Sequence, residues 1–166
     1  MMKLLRFAAP VALALTLAAC ATSRPGSSYV AQEISAADAQ VMAGDTVAFL
    51  ADPLPPARTT LVLHPPKANP GHPDTLTPVL IERLRERGYG ITTVGTKEEG
   101  QDAQPGAGEA LRYLATPMAT ATASGVVLRL QYLNQEATRF YLRNADGTLS
   151  YGSPFSVREG GAGNGK

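Results

Sequence analysis

Tryptophan is absent from the 166 residues, cysteine occurs once, histidine twice, and aromatic side chains make up only 6%. A single cysteine excludes an internal disulfide framework and a cysteine-rich metal site, and two histidines leave little for a zinc enzyme. Charge of one sign is lacking too: 15 basic against 14 acidic side chains give +1, with no broad pull toward nucleic acid or anionic lipid. No apolar run reaches the roughly 20 residues of a spanning helix. There is no Gly-x-Ser-x-Gly, no phosphate-binding glycine loop and no His-Glu-x-x-His, so no motif announces catalysis. The length fits one domain, and 16 glycines and 13 prolines predict much loop around a modest core.

What is present starts with an address. Lys3 and Arg6 precede an uncharged run from Phe7 to Ala19, and the only cysteine, Cys20, follows. This is the layout of a bacterial secretory leader, and the run is too short for the alternative of an uncleaved anchor. An ordinary leader with a chance cysteine is the other alternative, disfavoured because free thiols are uncommon in oxidising compartments. Leu17-Ala18-Ala19-Cys20 resembles the lipobox of bacterial lipoproteins. The resemblance implies a signal peptide over 1–19 and acylation of Cys20 by palmitate-type chains. Several acyl chains anchor stably where one is marginal. Ala21 stands where lipoproteins kept in the inner membrane carry Asp, so the same resemblance implies the periplasmic side of the outer membrane.

The mature chain reads as a flexible tether over 20–33, an α+β domain over 34–159 and a glycine-rich disordered tail over 160–166. Ser35 with Asp38 forms a capping box for a helix from Ala36 to Leu50, with Ala37, Val41, Ala48 and Phe49 near one stripe and Pro53 as its stop. Thr59 to Leu63 suits a short strand, and the four prolines from Pro65 to Pro73 predict a stiff exposed loop. Asp74 or Thr75 caps a second helix that turns Leu76, Val79, Leu80 and Leu84 to the core and stops at Gly88. A strand from Tyr89 to Val94 and a linker from Lys97 to Gly108 follow. Glu109 to Thr116, Val126 to Tyr132, Ala137 to Arg143 and Thr148 to Tyr151 then read as an antiparallel meander, with turns at Asn134-Gln135 and Asp146-Gly147 and with Phe155 and Val157 still able to pack. Two helices covering a mostly antiparallel sheet make a two-layer α+β domain, with Leu84 and Leu130 meeting between the layers.

Candidate sites are few. His64 and His72, with Asp74, could hold a metal, but a structural site normally has four ligands and the loop offers no fourth. No metal and no cofactor is expected. The mixed charges from Glu82 to Arg87 read as a solvated helix face, with Glu82 and Arg85 as an i, i+3 pair. Arg129, Arg139 and Arg143, with Tyr141 among them, alternate toward one outer side of neighbouring strands. Such a face could receive a protein partner or single-stranded DNA, or could simply be wet; near-zero net charge speaks against nucleic acid.

Five blocks occur in order: Ala43-Gly-Asp-Thr-Val-Ala-Phe-Leu50, Leu54 to Leu63, Leu80 to Tyr89, Leu111 to Met118 and Asp146 to Glu159. With the lipobox they resemble the TrbH family of conjugal transfer lipoproteins over nearly the whole chain. The resemblance implies a non-enzymatic component of a conjugative type IV secretion (mating-pair formation) apparatus at the outer membrane, partnered by other channel subunits. Cys20 is the one functional residue it carries over. The shape also resembles, at fold level only, the small domains that ring secretion pores. A periplasmic enzyme or small-ligand binder on the same anchor is the competing reading, and it would need a pocket with perturbed titrating groups.

Overall fold

The computed structural model describes residues 27–94 and 108–160. The expected signal peptide, Cys20, the first part of the expected tether, nearly all of the 97–108 linker and residues 161–166 lie outside the described residues. Among those described, no helix is long and apolar enough to cross a membrane.

The first helix, α1, spans Ala36–Leu50. Ser35 Oγ accepts the Asp38 amide at 3.1 Å and the Asp38 carboxylate accepts the Ser35 amide at 3.1 Å, so the capping box closes in both directions. The buried stripe differs from the expected one. Ala39, Met42, Ala43, Thr46, Val47 and Leu50 face inward with Asp38 and Asp45, while Ala37 and Ala48 are exposed and Val41 and Phe49 half-buried. Alanine on every side of the helix blurs the hydropathy period, and both charges of this helix are on its inner face.

The second helix, α2, spans Leu76–Arg87. Asp74 Oδ1 accepts the amides of Leu76 and Thr77, both at 3.0 Å, and Gly88 ends the helix at φ 98°, where a Cβ would be strained. Leu76, Leu80 and Leu84 are buried and Val79 packs against them, as the leucine spacing predicts.

The strands are β1 (Tyr29–Val30), β2 (Thr60–Leu63), β3 (Gly90–Thr93), β4 (Glu109–Ala119), β5 (Ser124–Tyr132), β6 (Gln135–Arg143), β7 (Leu149–Tyr151) and β8 (Ser156–Glu159). They form one sheet in the order β3-β2-β4-β5-β6-β7. Everything from β4 onward is the expected antiparallel meander. The other side of β4 is parallel: β2 pairs both β3 and β4, and β1 joins β4 beyond the end of β2. The run from β2 through α2 to β3 is therefore a βαβ unit, which a four-residue strand alone does not reveal. Leu61, Val62 and Leu63 are all buried, the continuous apolar pattern of a parallel strand covered on both faces.

Two boundaries move. Of the stretch read as tether, Ser28 to Glu33 is built into the fold: Tyr29 and Val30 pair with Leu114 and Ala115, and Ser28 and Ala31 are buried, as is Ile34 after them. Two strand residues carry too little apolar surface to declare themselves, and the edge of β4 supplies their hydrogen bonds. The β5–β6 turn is Leu133-Asn134, at φ 42° and 57°, one residue before the expected pair; two consecutive positive φ angles match the right-handed strand twist. At the far edge, β7 and β8 both pair with β6, separated by a bulge. Ser153 Oγ accepts the Phe140 amide at 3.3 Å and Pro154 interrupts the ladder.

Helices and sheet enclose one core. Met42 and Leu50 from α1, Leu80 and Leu84 from α2, and Leu111, Tyr113, Leu128 and Leu130 from the sheet are essentially inaccessible. The fold is a two-layer α+β domain.

Candidate functional site

Successive strand residues point to opposite faces, so β5 and β6 each contribute one set to the helices and one to the outside. Val126, Leu128, Leu130 and Tyr132 on β5 face the helices, and the register places Tyr141, Arg139 and Ala137 of β6 opposite the first three. Arg129 belongs to the other set, opposite Thr138. The outer face expected from Arg129, Arg139, Tyr141 and Arg143 therefore does not exist. Three of the four lie under α1, Tyr141 with no exposed surface, and only Arg129 faces outward. The alternation along β6 is as expected, but the arginine side is the inner one.

What draws the arginines inward is α1. Asp38 and Asp45 are seven residues apart, two turns along one helix face and about 10 Å by rise. Arg139 and Arg143 are four residues apart on one face of β6, about 13 Å by strand rise. The two spacings match closely enough for both pairs to close. Arg143 Nη2 lies 2.9 Å from Asp38 Oδ2 and its Nη1 also donates to the Gly147 carbonyl at 2.7 Å; Arg139 bonds Asp45. Tyr141 Oη donates to the second Asp45 oxygen at 2.6 Å. Arg139 Nε donates to the Ser153 carbonyl at 2.8 Å, and its guanidinium lies 4.5 Å from the Phe155 ring centroid and 4.9 Å from that of Tyr151. Phe155 stacks on Phe49 of α1 at 4.1 Å, so the bulge residues lock onto the helix as well.

Electrostatics follow the geometry. Burial alone would raise the Asp38 carboxyl, but hydrogen bonds from Arg143 and Ser35, with the charge of Arg143, outweigh it and hold the group below its ordinary value. Burial, reinforced by Asp45, pushes the Tyr141 phenol far up, so it remains a neutral donor. Desolvating such pairs costs several kcal/mol per ion, so their firm consequence is placement: they fix how α1 sits on β6.

The outer face changes character from one end to the other. By register its first row across β4, β5, β6 and β7 is Met118, Gly125, Leu142 and Ser150, and its second begins Thr116, Val127 and Phe140. These rows carry no charge, and Met118 and Leu142 are 40% and 37% exposed. Phe140 lies down over two glycines: a Cβ on Gly125 or on Gly152 would come 2.8 Å from its ring. At the other end Glu136 accepts Arg158 at 2.6 Å and lies 3.3 Å from Arg129.

The remaining polar groups serve the structure. Thr77 bonds both Asp74 and the Tyr113 hydroxyl, and Ser28 Oγ accepts the Tyr113 amide at 3.0 Å, a buried chain that ties β1, α2 and β4 together. His64 sits half-buried at the end of β2, where burial and then Arg112 lower its pKa, while His72 is exposed on the proline loop. Among the described residues no three His, Cys, Asp or Glu side chains gather as a metal site would require. On α2 the ion pair is Arg83 with Glu86 at 3.1 Å, rather than Glu82 with Arg85, and Arg83 also reaches Gln40 of α1 at 3.0 Å.

Sequence reasoning missed Asp38 and Asp45 as arginine partners. The signal was available in their two-turn spacing on a helix and in the even spacing of Arg139 and Arg143 on a strand.

The family model described as conjugal transfer protein TrbH matches residues 21–160. No curated protein and no solved structure matches the chain. The match takes in both described helices, every described strand and the aspartate–arginine pairs between them, and the chain belongs to the TrbH family of conjugal transfer proteins.

Proposed function

We propose that this protein is an outer-membrane-anchored lipoprotein, held through Cys20, that assembles or stabilises the channel of a conjugative type IV secretion apparatus. The observation that carries the reading is the family match, which begins at residue 21, immediately after the cysteine of the lipobox. Processing as a lipoprotein would begin the mature chain at Cys20, so the anchor and the matched region adjoin. The distribution of polar groups supports a scaffold: Asp38, Asp45, Arg139, Arg143, Tyr113 and Thr77 are engaged in holding layers together. A scaffold needs a rigid body with surfaces to offer; an enzyme needs such groups turned into a pocket.

Deleting the gene is expected to lower conjugal transfer from the donor without slowing its growth, and Cys20→Ser is expected to abolish fatty-acid labelling and reproduce the transfer defect. Wild-type mating frequency in the deletion removes the conjugation assignment; label persisting on the Ser variant removes the anchor.

A further inference from the structure

We propose that the groove between α1 and α2 is the seat for an acidic amphipathic segment of another transfer-apparatus subunit, an inference that rests on the channel role above. The groove is a shallow concavity of about 310 Å³, open to solvent, lined by Gln40, Gly44 and Val47 from α1 and by Arg83, Glu86 and Arg87 from α2. That is room for one large apolar side chain. Gly44 lies at the middle of a fifteen-residue helix, is exposed, and has nothing within 4 Å of where a Cβ would stand. Neither a positive φ nor a close neighbour inside the molecule requires glycine there, although glycine weakens a helix interior relative to alanine. What it provides is bare backbone on the groove floor, beside the buried edge of Val47.

Charge selects the occupant. Both aspartates of α1 are turned under the helix onto Arg139 and Arg143, so α1 gives the groove no negative charge. Across from it Arg83 is paired with Glu86 and also donates to Gln40 of α1, whereas Arg87 is exposed and makes no ion pair among the described residues. The α1 wall is thus uncharged, with Val47 as its apolar part, and the α2 wall carries a net positive charge on long stems, which fits a segment with an apolar anchor flanked by carboxylates. The outer sheet face carries no such selection, because its Arg129 and Arg158 are both engaged by Glu136.

The test uses the full-length lipoprotein in donor cells. Gly44→Leu fills the groove and improves helix propensity, so thermal midpoint and protein level are expected to hold or rise while transfer falls about tenfold, the equivalent of about 1.4 kcal/mol of lost docking. Arg87→Glu is expected to lower transfer comparably and Arg87→Lys to leave it near wild type. With the detergent-extracted full-length protein, a Glu-bearing amphipathic model peptide is expected to bind and its Lys-bearing counterpart not to bind. If deletion lowers transfer but Gly44→Leu and Arg87→Glu mate like wild type, the groove assignment is overturned while the channel role stands. Equal binding of the two peptides overturns the acidic occupant. So does a shift from dimer to monomer in Gly44→Leu, which would make the occupant a second copy of this chain.

Discussion

The two faces of the meander are built from alternate residues of the same strands, and arginine behaves differently on each. On the inner face Arg139 and Arg143 are held by aspartates of α1, two aromatic rings and backbone carbonyls. On the outer face Arg129, with 43% of its side chain exposed, meets Glu136, which it shares with the more exposed Arg158. Identical chemistry thus serves layer placement on one side and surface solvation on the other, and parity along the strand decides which. The outer face also shows that exposure does not require charge: its two rows nearest the β4–β5 turn carry no charged side chain although Met118 and Leu142 are exposed, and Phe140 lies over the backbone of Gly125 and Gly152.

The largest contrast is expected from breaking one pair on each face. Asp45→Ala leaves the Arg139 guanidinium and the Tyr141 hydroxyl buried without their partner, and is expected to cost about 3 to 5 kcal/mol in urea unfolding. Arg129→Ala is expected to cost at most about 1 kcal/mol and to lose even that in high salt. Equal costs would mean that the inner pairs contribute no more than surface ones.

A second variant probes how Phe140 packs on the outer face. A Cβ at Gly125 overlaps the Tyr141 carbonyl and meets the Phe140 ring, so Gly125→Ala is expected to destabilise by about 1 to 3 kcal/mol. Gly44→Ala, with open space around it, is expected to stabilise by up to about 1 kcal/mol. Thermal midpoints moving in the same direction would break the distinction between a glycine required by contact and one that no internal contact requires.

The smallest expected effect is an acid-side slope. The Asp38 carboxyl gives up its proton more readily folded than unfolded, so its contribution is complete above the ordinary value of 3.8 and is lost as pH falls through the lowered folded value. Asp38→Asn is expected to cost about 1 kcal/mol at neutral pH, modest because Arg143 is partly open to solvent, and to flatten the loss of stability on acidification. Parallel pH profiles for the two proteins would show that the Arg143 pair does not set the slope.

Several elements were legible one residue at a time. Ser35 with Asp38, Asp74, Gly88 and Asp146-Gly147 act on their own neighbours, and α1, α2 and the β6–β7 turn stand where those residues predict. The alternation of Leu128, Arg129 and Leu130 gave β5 both its strand and its buried side. Strands β1 and β8 carry too little apolar surface to declare themselves, Ser156, Arg158 and Glu159 being polar and Tyr29 and Val30 only two residues; they exist because β4 and β6 offer unpaired edges. The candidate partner face failed for a related reason. Alternation tells which residues share a side, and for β6 the apolar pair Phe140 and Leu142 looked like the inner side.

Local sequence settled the pieces that need no distant partner: two capped helices and the strands of a meander. Those depend on residues close along the chain, where hydrogen bonding and side-chain period act without knowledge of the rest. Only the tertiary structure decided the parallel half of the sheet, the inward turn of Arg139, Tyr141 and Arg143, and the groove left over Gly44. Burying an arginine is unfavourable until a carboxylate lies opposite, and those carboxylates are distant in the chain: Asp45 is 94 residues from Arg139 and Asp38 is 105 from Arg143.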